Sequence, residues 1–172
     1  MLNLRFADFS GIVYRHTAIV QPPLDMLLNA AHGGRFNPPI SFPMLYTSLN
    51  AQGAKAEFIK SAETFKATPE SLLPRMLHQI EVDLRKVVDL TDARNRKFLG
   101  CSLEELIGDD WTPTQKIGTR LRYFCDAILS YSAADPKHKN LNLYIINPNS
   151  VAVVDSTKIQ TMDDWDSIKP VK

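Results

Sequence analysis

The chain has 172 residues, 44% of them hydrophobic and 23% charged, and 20 basic against 19 acidic side chains leave a formal net charge of +1. This length and apolar content suit one compact domain, 1–172, with a core of its own, and the balanced charge with no basic tail excludes a general nucleic-acid binder. The two cysteines, Cys101 and Cys125, have neither CxxC spacing nor clustered histidines beside them, which gives no basis for a zinc site; both are expected reduced, at least one of them buried.

The opening segment MLNLRFADFSG places charges ahead of any apolar run and has no cleavage-site pattern. No apolar run nears the roughly 20 residues that span a bilayer, so the chain reads as cytoplasmic, or as delivered by a route that it does not itself encode, with no membrane contact. Ile12–Thr17 predicts a short strand after Gly11. Residues 18–43 hold Pro22-Pro23, Gly33-Gly34, Pro38-Pro39 and Pro43, an irregular stretch of the length that ordered functional loops reach. Met44–Ser48 predicts a strand. Asn50 is placed to cap a helix from Ala51 to about Phe65, with Ala54, Phe58, Ala62 and Phe65 at helical spacing. Met76–Asp83 alternates as a strand does, and Val87-Val88 extends it. Short helices are predicted over Thr91–Phe98 and Ser102–Ile107, then a longer one over Thr114–Cys125 with Ile117, Leu121 and Phe124 on one face. Ala127–Ser130, Leu141–Ile146 and Val151–Val154 complete the strands. Without a regular strand–helix alternation, the pattern is that of an α+β domain.

Four residues carry candidate chemistry, spaced 20, 11 and 11 apart. Arg15 lies in an apolar strand, where it faces either solvent or a site. Arg35 follows Gly33-Gly34, which let a ligand approach the backbone, and with Asn37 it offers a planar fork of donors to a phosphate or ribose. Tyr46 is either a half-buried core aromatic or a stacking platform. Glu57 has apolar Ala54 and Phe58 as helix neighbours, which puts its carboxylate on or beside the buried face, where an unpaired charge is costly. His16 beside Arg15 reads as structural, with contact to a ligand as the alternative. Trp111 reads as a packing anchor, Gln115 as a brace or cap of the cleft, and Asp163–Asp166 as a solvated helix or turn.

The succession VYRHT, GGRFNPP, LYTS and AKAEF resembles the signature of the RES domain, with Phe36 where that family commonly has Trp. Downstream, GDDWTPTQKIG resembles its Trp and Thr-Gln helix start, and CDAILSYSAAD its strand ending in a Pro-Ser-Ala element, with Tyr131 in place of the Pro. Ser132 is then the family's serine, and Ser130 the second candidate. The resemblance covers about residues 11–148.

It implies an ADP-ribosyltransferase-like fold, two small β-sheets forming a central cleft flanked by helices. The cleft would hold NAD⁺, whose nicotinamide–ribose bond is broken. Nicotinamide departs as a neutral molecule from a cationic precursor, so the site needs an anion near the developing ribosyl cation and cations on the pyrophosphate, not an acid. By resemblance Glu57 supplies the anion, Arg15 and Arg35 hold the pyrophosphate or ribose, Tyr46 stacks on nicotinamide and Ser132 bonds a phosphate or ribose oxygen. No metal or prosthetic group is required. The acceptor stays open between water, inorganic phosphate as co-substrate and a protein side chain, the last giving a mono-ADP-ribosyltransferase; a catalytically silent binding module is the third alternative. The resemblance also implies a toxin role in a hetero-oligomer, with a cognate antitoxin that carries an Xre-like helix-turn-helix domain. The chain itself has no DNA-reading motif.

Overall fold

The computed structural model describes residues 3–144, 147 and 149–171. It is an α+β fold built on one mixed sheet. The first strand, β1 (Phe6–Ala18), and the third, β3 (Arg75–Asp89), form a long antiparallel pair running from Phe6 opposite Val88 to Ala18 opposite Arg75. Both outgrow their sequence expectations. Phe6 and Asp8 lie on an exposed flank of β1, so no hydrophobic alternation marks its first half, and backbone pairing to β3 holds it instead.

The second edge of β3 is divided. Arg75–Val82 pairs antiparallel with β6 (Val151–Ile159), and Val87–Asp89 pairs in parallel with β4 (Ala127–Tyr131). Beyond β4 come β5 (Lys139–Leu143) and β2 (Leu45–Ser48), and β2 meets β1 where Ser48 stands opposite Tyr14. Hydrogen bonds therefore join all six strands into one sheet that closes on itself through β1 and β3, where the family resemblance implies two small sheets. Of the strand expected over Leu141–Ile146, the part at Ile145 and Ile146 lies outside the described residues.

Helices cover this sheet. The stretch over 18–43 is irregular except for α1 (Leu27–His32), and α2 (Ala51–Thr64) begins at Asn50, whose Oδ1 accepts the Gly53 N–H at 2.7 Å. Ala54, Phe58 and Ala62 are buried as their spacing requires, whereas Phe65 lies past the helix end and is exposed. The next two helices, α3 (Ala93–Leu99) and α4 (Leu103–Ile107), are capped by Asp92 and Ser102. The last, α5 (Thr112–Leu121), starts and stops earlier than predicted: Pro113 suits its first turn, and the chain turns after Leu121, which carries Phe124 out to solvent.

Three apolar clusters result. Val13, Leu45, Ile80, Leu141 and Leu143 fill the interior of the closed sheet. Phe36, Leu106, Ile117, Leu121 and Ile128 pack under α3 to α5, together with both cysteines, which are buried and free. The third lies between α2 and the β1–β3–β6 strands, where Phe58 stacks on Trp165 at 5.7 Å. The acidic C-terminal stretch is therefore not simply solvated. Trp165 is fully buried, Asp164 caps its own 3-10 turn, and Asp166 pairs with Lys55 of α2 at 3.0 Å. No helix among the described residues is long and apolar enough to cross a membrane.

Two features of this packing can be measured. Helix α5 runs so close to the loop before β2 that a Cβ on Gly118 would collide with the Phe36 carbonyl oxygen, while the Gly118 carbonyl accepts from the Tyr144 hydroxyl at 2.7 Å. Overpacked cores lose about 1–3 kcal/mol. Gly118→Ala should lower the unfolding free energy by an amount in that range, read as a lower denaturation midpoint, and an unchanged midpoint would show that the helix is free to shift.

The second feature is a pair of histidines. His16 stands 3.2 Å from the Arg75 guanidinium, its ring edge-on to Phe58 and Trp165, and His78 bridges Thr17 at 2.9 Å and Ser156 at 2.7 Å. Burial, followed by Arg75, Arg15 and His78, pushes His16 down to about 3 from 6.5. His78 is also lowered, by burial and by Arg15. The unfolded chain takes up these protons as pH falls below 6.5, and folded His16 only near 3, so stability declines as pH drops through that window. His16→Phe keeps the ring contacts without the titrating nitrogens and should make the fall in urea midpoint shallower; an equally steep fall in the variant refutes the assignment.

Candidate active site

Closure of the sheet leaves a cleft of about 540 Å³ between β1, β2, β4, β5, α2 and the loop over residues 33–37. Strand β1 delivers Arg15, the loop Arg35, β2 Tyr46 and α2 Glu57, and all four line this one cavity. Residues spread over the first third of the chain meet because β2 and β1 are neighbours in the ring and α2 packs across them.

Glu57 lies at the buried margin of α2, one residue before Phe58. Its Oε1 accepts two hydrogen bonds, from the Ser132 hydroxyl at 2.7 Å and from the Asn140 amide at 2.6 Å. The carboxylate is thereby turned into the cleft, toward Arg35.

Arg15 is nearly buried. One terminal nitrogen donates to the Asp25 carbonyl at 2.6 Å, and the other is enclosed without a partner. Burial, opposed by Asp25, pushes its pKa down to about 10, so it stays cationic at neutral pH. Arg35 donates to the carbonyls of Gly108 at 2.8 Å and Leu106 at 3.2 Å, with its guanidinium 5.8 Å over the Trp111 ring. Burial lowers its pKa, against the opposing pull of the Glu57 and Asp109 carboxylates. Trp111 is 42% exposed and walls the cleft; it precedes α5 as the N-cap residue, so it is not the packing anchor expected of it.

The loop that carries Arg35 is held from below. The Tyr46 hydroxyl accepts the Phe36 N–H at 2.9 Å and donates to Asn37 Oδ1 at 2.7 Å, and burial raises its pKa well above the ordinary tyrosine value. Gly34 is required here, since an added Cβ would lie 2.5 Å from that hydroxyl oxygen. Gln115 braces the loop from α5, donating to the Gly34 carbonyl at 2.9 Å. Asn37 corrects an expectation. It is completely buried, and its amide nitrogen donates to the carbonyls of Asn29 at 2.6 Å and Phe42 at 3.2 Å, so it shapes the loop and does not face the cleft.

Ser132 is likewise fully buried. Its hydroxyl oxygen accepts the N–H groups of Ala134 and Asp135, each at 3.1 Å, and its proton goes to Glu57, so the serine addresses the carboxylate instead of a phosphate or ribose oxygen. Ser130, two residues earlier on β4, is the one that lines the cleft. His16 packs against Phe58 and Trp165 beside Arg75, and it also lines the cleft. The sequence reading passes over Asn140 and Asn142, on one face of β5, and over Ser48, whose hydroxyl donates to Asn140 Oδ1 at 2.9 Å. The signal is visible in retrospect: KNLNL sets two asparagines, poor strand formers, at alternate positions of an apolar strand.

The sequence profile of the RES domain matches residues 12–166, and the chain belongs to the RES-domain family. Among its relatives are the proteins named NAD(+) phosphorylase MbcT of Mycobacterium bovis and Mycobacterium tuberculosis, 33% identical over 113 residues, which is 64% of this chain and 61% of theirs. A second M. tuberculosis relative, named "Probable NAD(+) phosphorylase Rv3189", is 31% identical over 133 residues, 77% of this chain and 64% of its own length. The matches thus span somewhat over three fifths of these curated relatives. A chain of the crystal structure of the M. tuberculosis MbcT–MbcA toxin–antitoxin complex superposes with a TM-score of 0.84 at 26% identity, covering 94% of this chain and 90% of that one.

The Tyr46 clamp is directly testable. Removing one partner of a buried hydrogen-bond network costs about 1–3 kcal/mol. Tyr46→Phe should destabilise the protein within that range, because the Phe36 N–H and Asn37 Oδ1 both lose their partner. Amide exchange at Phe36 should quicken with it; a stable variant with a protected Phe36 amide would show that the loop is held by other means.

Proposed function

We propose that the chain cleaves the nicotinamide–ribose bond of NAD⁺ with inorganic phosphate as acceptor, as the toxin of a toxin–antitoxin pair. The observation that carries this reading is Glu57, its carboxylate anchored in a cleft walled by the buried Arg15 and the half-buried Arg35. The names of the phosphorylase relatives and the toxin–antitoxin assembly of the structural neighbour support it.

The chemistry follows from charge. The bond between the nicotinamide nitrogen and the anomeric carbon breaks, and its electron pair neutralises the pyridinium, so the leaving group needs no proton. Positive charge develops on the ribose, where Glu57 stabilises it. A phosphate oxygen then bonds to the anomeric carbon, giving ADP-ribose 1-phosphate and free nicotinamide. Arg15 and Arg35 hold the pyrophosphate and orient the ribose. The Tyr46 ring, on the cleft wall, stacks on nicotinamide, while its hydroxyl holds the loop. The cleft framed by β1 together with β2, β5 and β4, within one closed sheet, supports an ADP-ribosyltransferase-like arrangement.

The partner in this reading is an antitoxin with an Xre-like helix-turn-helix domain that covers the cleft. Leu28 of α1, Phe65 and Trp111 are exposed apolar groups on the cavity walls, suited to such a cover. The substrate pool places the action in the cytoplasm.

Chromatography of NAD⁺ incubated with antitoxin-free protein, with and without phosphate, tests the reading. Nicotinamide and ADP-ribose 1-phosphate are expected, dependent on phosphate. Losing a preorganised electrostatic group costs about 100- to 1000-fold in rate, so Glu57→Gln should lower turnover at least that far with the fold intact. Free ADP-ribose would instead mean hydrolysis, label retained on a protein band would mean a mono-ADP-ribosyltransferase, and binding without turnover a silent module.

A further inference from the structure

Resting on that reading of the cleft, we infer that Asn140, held by Ser48, is a positioning residue that fixes which oxygen of Glu57 serves the reaction. The directions of the hydrogen bonds are determined by chemistry. The Ser48 hydroxyl donates to Asn140 Oδ1 at 2.9 Å, which leaves the amide nitrogen as the end facing Glu57, 2.6 Å from Oε1. Ser132 has its oxygen occupied by two backbone N–H groups, so its single proton points to the same Oε1. Two neutral donors thus converge on one carboxylate oxygen. Among the described residues Oε2 has no hydrogen-bond partner, and it is the oxygen left to act on a ligand.

The scaffold explains why this asparagine can do it. Strand β5 runs between β2 and β4, and Asn140 stands opposite Ser48 on one side and Ser130 on the other. Its side chain is therefore fixed by strand register on both flanks, while Glu57 comes from a helix packed across the strands. Ser132 alone would leave the carboxylate free to swing about one hydrogen bond. With Asn140 it has two, one arriving from β5 and one from the residue just past β4, and its plane is set. A group displaced by about 1 Å from its productive geometry loses on the order of 100-fold in rate.

Steady-state kinetics of NAD⁺ cleavage in phosphate, on wild type, Glu57→Gln, Asn140→Ala, Asn140→Asp and Ser48→Ala, decides the matter. Asn140→Ala should lower kcat by about 10- to 100-fold with KM for NAD⁺ changed less than about threefold, the split expected of lost orientation rather than lost binding. Asn140→Asp is nearly isosteric but places a second carboxylate against Oε1. It should be at least as impaired, and the acidic limb of its pH–rate profile should move to higher pH. A purely structural asparagine would tolerate this swap without moving the profile. Ser48→Ala removes only the outer support and should show a smaller fall in kcat; it also serves if Asn140→Ala does not fold by circular dichroism. Unchanged kcat in folded Asn140→Ala or, failing that, in Ser48→Ala, together with an unmoved Asn140→Asp profile, overturns the assignment of Asn140 while an inactive Glu57→Gln leaves the cleavage reading standing. A wild type that leaves NAD⁺ intact overturns that reading and this one with it.

Discussion

The carboxylate of Glu57 depends on hydrogen-bond donors that the chain supplies more than seventy residues later. Ser132 follows β4 and Asn140 lies on β5, and both reach the same oxygen of a side chain carried by α2. Such a contact exists only when the sheet has closed and α2 has docked on it. The long β1–β3 pairing brings the two ends of the sheet together, and Trp165, buried against Phe58, fixes the inner face of the helix on the strands. An acid buried without those donors would carry the desolvation penalty of an unpaired charge. The site and the fold are in that sense one construction.

The loop bearing Arg35 shows the same economy in another form. Its backbone runs in the gap between α5 and β2, close enough that Gly34 and Gly118 have no room for a side chain. Tyr46 and Gln115 then satisfy its main-chain groups, and Asn37 ties it to the carbonyls of Asn29 and Phe42. Buried loops are rare because their peptide groups must all find partners, and here polar side chains that resemble ligand contacts in the sequence meet that demand. The guanidinium of Arg35 can be placed accurately because the residues on either side of it are immobilised.

This division explains what was legible beforehand. Arg15, Arg35, Tyr46 and Glu57 line one cavity; local pattern leaves each of them open between a site and a plainer role, and only the order of motifs that resembles a family singles out all four. The helix over Ala51–Thr64 was readable from Asn50 and the Ala54–Phe58–Ala62 spacing. Asn37 and Ser132 were assigned to the ligand because sequence gives residue type and not direction; both side chains point inward and are satisfied by protein atoms. Asn140 and Ser48 escaped notice because their significance lies in register between β2 and β5, which no local pattern encodes. The 13-residue span of β1 was hidden for a similar reason: its first half is held by backbone pairing, with little apolar burial to mark it. Phe124 and Trp111 were misplaced by reading α5 as beginning and ending two to four residues too late, enough to rotate a helical face or change a packed ring into an exposed one.

The charges in the cleft are oriented by neutral groups. Arg15 is held by the Asp25 carbonyl, Arg35 by the carbonyls of Leu106 and Gly108, and Glu57 by a hydroxyl and an amide. Among the described residues none of the three belongs to a salt bridge, although the chain forms several on its exterior. A salt bridge would fix an arginine just as firmly but would cancel most of the field that it projects. Peptide and side-chain dipoles fix it while leaving the charge available, and in a partly desolvated cavity that charge acts with less screening than it would in water. The cost is visible in the lowered pKa of both arginines, which the surrounding burial imposes and no tight anionic partner restores. Such an arrangement is poorly suited to pure stabilisation. On the proposed reading it suits a ligand that brings its own opposite charges, a diphosphate for the cations and a developing positive centre for the carboxylate, because the compensation would then be made by the ligand and be greatest as the bond breaks.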